Sequence, residues 1–264
     1  MPELPEVETV RRVLAEKATG VVIASVKALF RGCIEGLSAE EFAARLRERR
    51  IERWRRMGKY LVADLDDGSR FTIHLRMTGQ VRVVGAEGRA PGAYTRLVMS
   101  LRDGGELHFD DLRKFGRLAW YTDEGAIRGA LRLGPDPTDE NYGPEALARS
   151  LAHRRRPVKS LLLDQEILAG VGNIYADEAL FRARLHPARP AGSLAADEVR
   201  ALWRSLREVL LEGVEHRGTS LRDYVDGDGR PGGFQERLQV YGREGRPCPA
   251  CGEPIARLKI GGRS

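Results

Sequence analysis

Two apolar periodicities divide this chain, and no single element type accommodates both. Up to about residue 122, apolar residues fall in short runs that read as strands: 21–30, 59–66, 70–76, 80–84, 94–101, 106–110 and 116–121. Alternation is plain in Phe71-Ile73-Leu75, and Asp66-Asp67-Gly68 and Asp103-Gly104-Gly105 mark turns. Two helices interrupt this half. One covers 5–17, with Val7, Val10, Val13 and Leu14 near one face, and Gly20 ends it. The other covers 39–49, where Ser38 and Glu41 form a capping box. The first half is therefore mostly β, a sandwich or barrel with flanking helices. Gly134-Pro135-Asp136-Pro137 is a breaker-rich connector. Beyond it, helical spacing covers 144–153, 157–165, 173–184 and about 195–215. In the last of these, Trp203, Leu206, Leu210 and Val214 read as core. Residues 218–233 carry Gly, Asp and Arg with little periodicity and read as a mobile loop. Phe234 to Tyr241 reads as a strand, and 245–264 as a Cys-containing tail.

A length of 264 residues suits two domains. Hydrophobic content of 42% with 31% charge implies packed cores. The net charge is +6, carried mostly by arginine spread along the chain. That balance favours a polyanionic partner and phosphate oxygens in particular, although a solvated basic surface has the same composition. No apolar run reaches the roughly 20 residues of a membrane span, and Glu3, Glu6 and Glu8 argue against a signal segment. Three cysteines do not make a disulfide framework. A cytoplasmic protein is expected.

The N-terminus, Met1-Pro2-Glu3-Leu4-Pro5-Glu6, is chemically unusual. Removal of Met1 would expose Pro2 as a secondary amine, titrating near the ~7.7–8.0 of an α-amino group. Such an amine attacks an aldehyde-level sugar carbon to give an iminium, an electron sink. Glu3 places a proton-shuttling carboxylate beside it. Equally, proline suits a first helical turn. Lys59 begins a strand after Arg55-Arg56-Met57-Gly58, as a phosphate ligand or as a plain edge lysine. Met77, in His74-Leu75-Arg76-Met77-Thr78-Gly79, is either buried or a wedge between stacked bases. In Asp110-Asp111-Leu112-Arg113-Lys114-Phe115-Gly116-Arg117, cations flank one aromatic ring, which suits phosphates and base stacking. Gly170-Val171-Gly172-Asn173 lets a backbone approach closely, with Asn173 as N-cap of the next helix and free amides for a phosphate. Cys248-Pro249-Ala250-Cys251 is half of a tetrahedral zinc site; Cys33 is an isolated apolar-type cysteine.

Taken together, in this order across the whole chain, these motifs resemble the bacterial formamidopyrimidine-DNA glycosylase family. The LPEVE start favours this branch over the endonuclease VIII branch. The resemblance implies an α+β, multidomain protein. An N-terminal β-sandwich catalytic domain would span 1–125 and a linker 126–136. A helical helix–two-turn–helix domain would span 137–235 and a β-hairpin finger 236–264, with duplex DNA in a basic cleft. It implies Pro2 as Schiff-base nucleophile, Glu3 as proton shuttle and Lys59 as catalytic lysine. His74, Lys159, Gly172, Asn173 and Tyr241 would grip the backbone around the lesion. Met77, Arg113 and Phe115 would fill the vacated stack. Residues 218–233 would close over the extruded base, and Arg263 would hold a phosphate. The implied activity is excision of oxidised purines followed by β,δ-elimination at the abasic site, with no cofactor in the chemistry.

The family's finger carries one zinc ion on two C-x-x-C pairs. Here only Cys248 and Cys251 are present before Ser264, so an incomplete finger and half a zinc site are expected. The expected partner is double-stranded DNA with oxidised bases or abasic sites, the expected state a monomer. Two rivals remain: a catalytically silent binder of damaged DNA, and an endonuclease VIII-like glycosylase for oxidised pyrimidines.

Overall fold

The computed structural model describes residues 1–87, 90–221 and 224–264. They divide into two compact units, Met1–Leu131 with Arg217–Gly232, and Arg132–His216 with Gly233–Ser264.

In the first unit, α1 (Leu4–Lys17) and α2 (Ala39–Leu46) flank two sheets. One sheet has the order β1 (Ile23–Ala28), β7 (Thr95–Leu101), β8 (Glu106–Asp111), β6 (Gly79–Val84), all antiparallel. The other runs β2 (Ile34–Glu35), β9 (Arg117–Tyr121), β5 (Arg70–His74), β4 (Tyr60–Leu65), β3 (Ile51–Met57). One apolar core lies between the sheets. Trp54, Leu61, Phe71 and Leu118 come from one, Val81, Leu97, Met99 and Phe109 from the other, and Val7, Val10, Leu14 and Phe42 from the helices. Phe71 is at its centre, edge-on to Trp54 at 5.6 Å and to Phe42 at 6.5 Å. The predicted sandwich is thus present. The capping box of α2 forms as the sequence implies, Glu41 N–H donating to Ser38 Oγ and Ser38 N–H to Glu41 Oε2.

Several expectations need correction. Strand β3 is missing from the sequence reading because Arg53, Arg55 and Arg56 break its apolar pattern. Those charges are compensated by Asp64, which Arg53, Arg55 and Arg70 all contact, and by Glu8 on α1, which pairs with Arg56 at 3.3 Å. The expected linker 126–136 begins as helix α3 (Glu124–Leu131), with Ile127 buried. Gly134 and Pro135 are then fixed by main-chain hydrogen bonds to Gln165 and Ala169.

In the second unit α4 (Pro144–Leu151), α5 (Val158–Leu162), α6 (Asn173–Arg182) and α7 (Ala196–Glu215) follow the predicted helices closely. Leu206, Leu210 and Val214 are buried as expected. Trp203 is only partly so, and its indole N–H donates to the Tyr142 carbonyl. Phe234–Tyr241 is not a strand. It is a 3₁₀ turn, Phe234–Arg237, followed by bends at Gln239 and Val240 and a turn at Tyr241, with Phe234 stacked on Tyr175 at 5.3 Å. In the expected finger, the paired positions are the isolated bridges Pro247–Pro254 and Ile260–Arg263, without a regular hairpin ladder. Among the described residues no helix is long and apolar enough to cross a membrane.

Phe71→Ala removes the ring that packs edge-on against Phe42 of α2 and Trp54 of β3. It is expected to destabilise the first unit by about 3–5 kcal/mol, read from the urea midpoint followed by Trp fluorescence.

Candidate functional site

In the first unit the N-terminus is seated rather than frayed. Pro2 and Glu3 are buried while Met1 is exposed. Glu3 is the N-cap of α1, and its N–H donates to Glu6 Oε2 at 2.7 Å. The same carboxylate, 2% exposed, accepts from the Thr219 N–H through Oε1 at 2.7 Å. Tyr224 Oη donates to the Glu6 carbonyl at 3.2 Å, and the Lys17 ammonium pairs with Asp228 at 2.5 Å. The described part of segment 218–233 is therefore tied to α1 at several points; Arg222 and Asp223 lie outside the described residues.

Lys59 does not begin a strand. It occupies the two-residue turn between β3 and β4, closed by the Met57–Tyr60 pair, with Gly58 at φ +57° as a tight hairpin allows. It is buried, unlike a solvated edge lysine. Across the ladder Tyr60 pairs with His74, their rings 4.4 Å apart. His74 is pulled down to about 3 by burial, with Arg76 and Lys59 adding repulsion. Its Nδ1 accepts the Arg76 N–H at 3.0 Å. The neutral ring therefore carries its proton on Nε2 and presents a donor there.

Met77, Arg113 and Phe115 come from two loops joined by one acid. Asp111, 1% exposed, accepts from Thr78 Oγ1 at 2.5 Å, from Arg113 N–H at 3.2 Å and from Gly116 N–H at 2.7 Å. Arg113 N–H also reaches Thr78 Oγ1 at 3.1 Å. This leaves Met77 42% and Phe115 47% exposed, with the Arg113 guanidinium over the Phe115 ring at 4.8 Å. Exposed apolar side chains beside cations suit insertion rather than core packing.

In the second unit Lys159, Asn173, Tyr241 and Arg263 line one open groove of about 1450 Å³. Gly172 lies beside it as the N-cap of α6, and Asn173 is the first helical residue. The expectation that Asn173 is itself the cap is corrected. Its side-chain N–H donates to the Ser264 main-chain oxygen at 3.1 Å, which Lys159 Nζ also reaches at 2.6 Å. Lys159 is buried and paired with Asp177 at 2.7 Å; burial raises the Asp177 carboxyl despite that ammonium. Glu178, fully buried, accepts the N–H groups of Gln239, Val240 and Tyr241 at 2.8–3.0 Å. It fixes the chain that presents Tyr241.

The zinc expectation does not fit the residues present. Cys248 Sγ accepts the Ala250 N–H at 3.4 Å, and hydrogen bonds from Ala250 and Cys251 lower its thiol. Cys251 is exposed. Among the described residues no group of three or more His, Cys, Asp or Glu is placed to hold a metal. Two thiols leave half of a four-ligand set unfilled. Cys33 belongs to the first unit's core, its thiol pushed up to about 11 by burial.

Glu6, Asp111 and Glu178 were not picked out by sequence reading. Their sequence signal is slight: a capping position, a doubled Asp, and an acid in a helix.

Residues 1–118 match the model of the formamidopyrimidine-DNA glycosylase N-terminal domain, and 133–225 that of the formamidopyrimidine-DNA glycosylase H2TH domain. The chain belongs to the formamidopyrimidine-DNA glycosylase family. A relative from Pelotomaculum thermopropionicum bearing that name is 46% identical over 100% of this chain and 96% of its own. One from Moorella thermoacetica is 49% identical over 98% and 95%. The crystal structure of the MutM (Fpg) protein of Thermus thermophilus superposes with TM-score 0.88 at 46% identity, covering 99% of this chain and 95% of that one. The Lactococcus lactis Fpg in complex with abasic-site DNA gives 0.91 at 33% identity, covering 99% and 96%.

As pH falls from about 6.5 towards 3, the unfolded chain takes up a proton at His74 that the folded unit refuses, so stability falls with pH across that window. The His74 ring NMR signals are expected to stay fixed between pH 8 and 5, and His74→Gln should flatten the stability slope. Glu178→Ala orphans three main-chain donors. It should destabilise the second unit by about 3 kcal/mol or more, measured by urea denaturation.

Proposed function

We propose that this chain is a base-excision repair enzyme, a DNA glycosylase and abasic-site lyase acting on duplex DNA with oxidised purines. The observation that carries this reading is the match to formamidopyrimidine-DNA glycosylases along essentially the whole chain. The seated Pro2-Glu3 terminus supports it locally.

The steps use this chain's own groups. Once the peptide bond between Met1 and Pro2 is cut, the Pro2 nitrogen is a secondary amine. The target base must leave the stack, at a cost of a few kcal/mol. Met77 and Phe115 fill the gap and Arg113 faces the orphan base, offsetting part of that cost. The Pro2 nitrogen attacks C1′, the bond from C1′ to the base breaks, and Glu3 relays a proton to the opening sugar. The resulting iminium acidifies the C2′ proton. Its removal expels the 3′ phosphate, and a second elimination expels the 5′ phosphate. Addition of water to the remaining iminium releases the sugar fragment as an aldehyde and frees Pro2.

Lys59 supplies a cation for a flanking phosphate. His74 supplies a neutral donor from Nε2. In the second unit, Lys159 and the Asn173 amide already converge on one oxygen atom, as a phosphate oxygen would require. Gly172, Tyr241 and Arg263 complete that contact set. No step is routed through zinc.

Borohydride reduction of the enzyme with 8-oxoguanine:cytosine duplex should trap a covalent protein–DNA adduct, with the strand nicked on both sides of the sugar when reductant is omitted. Acetylating the terminus, or retaining Met1 as verified by intact mass, should abolish trapping. Adduct formation with a blocked terminus would refute Pro2 as nucleophile, and binding without cleavage would mark a silent binder.

A further inference from the structure

Glu6 takes no part in the steps above, yet this buried carboxylate stands between the two pieces that must be aligned for them. Oε2 holds the Glu3 N–H and Oε1 holds the Thr219 N–H, each at 2.7 Å. The Glu3 nitrogen is three bonds from the Pro2 ring nitrogen. The planar peptide and the proline ring leave one torsion, ψ of Pro2, between them, so the position of the Glu3 amide restricts where that nitrogen can lie. On the other side, Thr219 opens the segment expected to close over an extruded base. That segment's ends meet at glycines. Gly218 has φ +79°, and a Cβ there would lie 2.7 Å from Glu6 Oε1. A Cβ on Gly232 would lie 2.2 Å from the Gly218 carbonyl oxygen. Ser220 Oγ closes the base of the loop, accepting the Gly232 N–H at 2.8 Å and donating to the Tyr224 carbonyl at 2.7 Å.

We propose that Glu6 is a positioning residue that makes the alignment of the Pro2 nitrogen depend on the docked state of the 218–232 loop. The inference rests on the reading of Pro2 as nucleophile. A carboxylate is planar and rigid, and at 2% exposure water does not replace a lost donor. If the loop lifts, the Thr219 N–H leaves Oε1. The charge then redistributes its hydrogen bonding, and the Oε2 contact to Glu3 shifts with it. Loop and nucleophile are thereby joined through one side chain, and a lifted loop misaligns the amine even when no base is present to be held.

A preformed abasic site tests this, because it has no base for the loop to grip. Single-turnover borohydride trapping would be measured at saturating abasic duplex, on protein with Met1 removal verified by mass. Gly218→Ala intrudes on Oε1, and Glu6→Gln turns one acceptor into a donor facing an N–H. Each should slow trapping by roughly tenfold to a hundredfold, with the Kd for abasic duplex unchanged within about twofold. Gly36→Ala is the control, since Gly36 has φ +79° but open space around it. It should trap at the wild-type rate. Wild-type trapping rates in Gly218→Ala and Glu6→Gln would overturn the proposal. Equal slowing by Gly36→Ala, which would signal general destabilisation, would overturn it too. Absence of trapping by the wild type would instead defeat the Pro2 reading, and this inference with it.

Discussion

A buried carboxylate that accepts main-chain N–H groups from a distant, irregular segment is the interaction on which this structure depends. Glu6 and Glu178 each do this, and Asp111 does the same for the turn just after its own strand while also accepting the distant Thr78 hydroxyl. Irregular backbone must find partners for its amides once it leaves water. A carboxylate suits that need because it offers several acceptor sites and strengthens each bond by its charge. Elements that a reaction requires at fixed positions can then be loops rather than strands. Glu178 holds the chain leading to Tyr241, Asp111 holds the turns behind Met77 and Phe115, and Glu6 holds Thr219.

Much of the architecture was legible in the sequence, for identifiable reasons. Alternation in Phe71-Ile73-Leu75 and helical spacing in α7 are produced directly by burial, so periodicity finds them. The Ser38–Glu41 box marks a helix start with side chains that only a helix needs. What escaped was set by contacts between segments. Strand β3 tolerates its arginines only because Asp64 and Glu8 lie across from them. The stretch 234–241 reads as a strand by composition, but Tyr175 and Glu178 hold it as a 3₁₀ turn followed by bends. The site residues came mainly from family motifs, which record chemistry. Their supporting acids leave little trace in a single sequence, because a lone Glu or Asp has the same appearance on a solvated face.

Burial also changes what the polar site residues are. Lys59 reads in the sequence as a phosphate ligand or a plain edge lysine, and the resemblance makes Lys159 a backbone contact; both are enclosed, the latter against Asp177. Enclosure removes the rotamer freedom that a solvated lysine would lose on meeting a ligand.

The Arg76 N–H that points into His74 has a consequence for how grip on a nucleic acid responds to its medium. Ammonium and guanidinium groups displace condensed counterions when they meet phosphates, so their contribution fades steeply as salt rises. An imidazole locked in the uncharged tautomer displaces none. In the proposed role of His74 against a phosphate, it would offer a directional donor that releases no counterion, so that contact would hold its orientation after long-range attraction has been screened away.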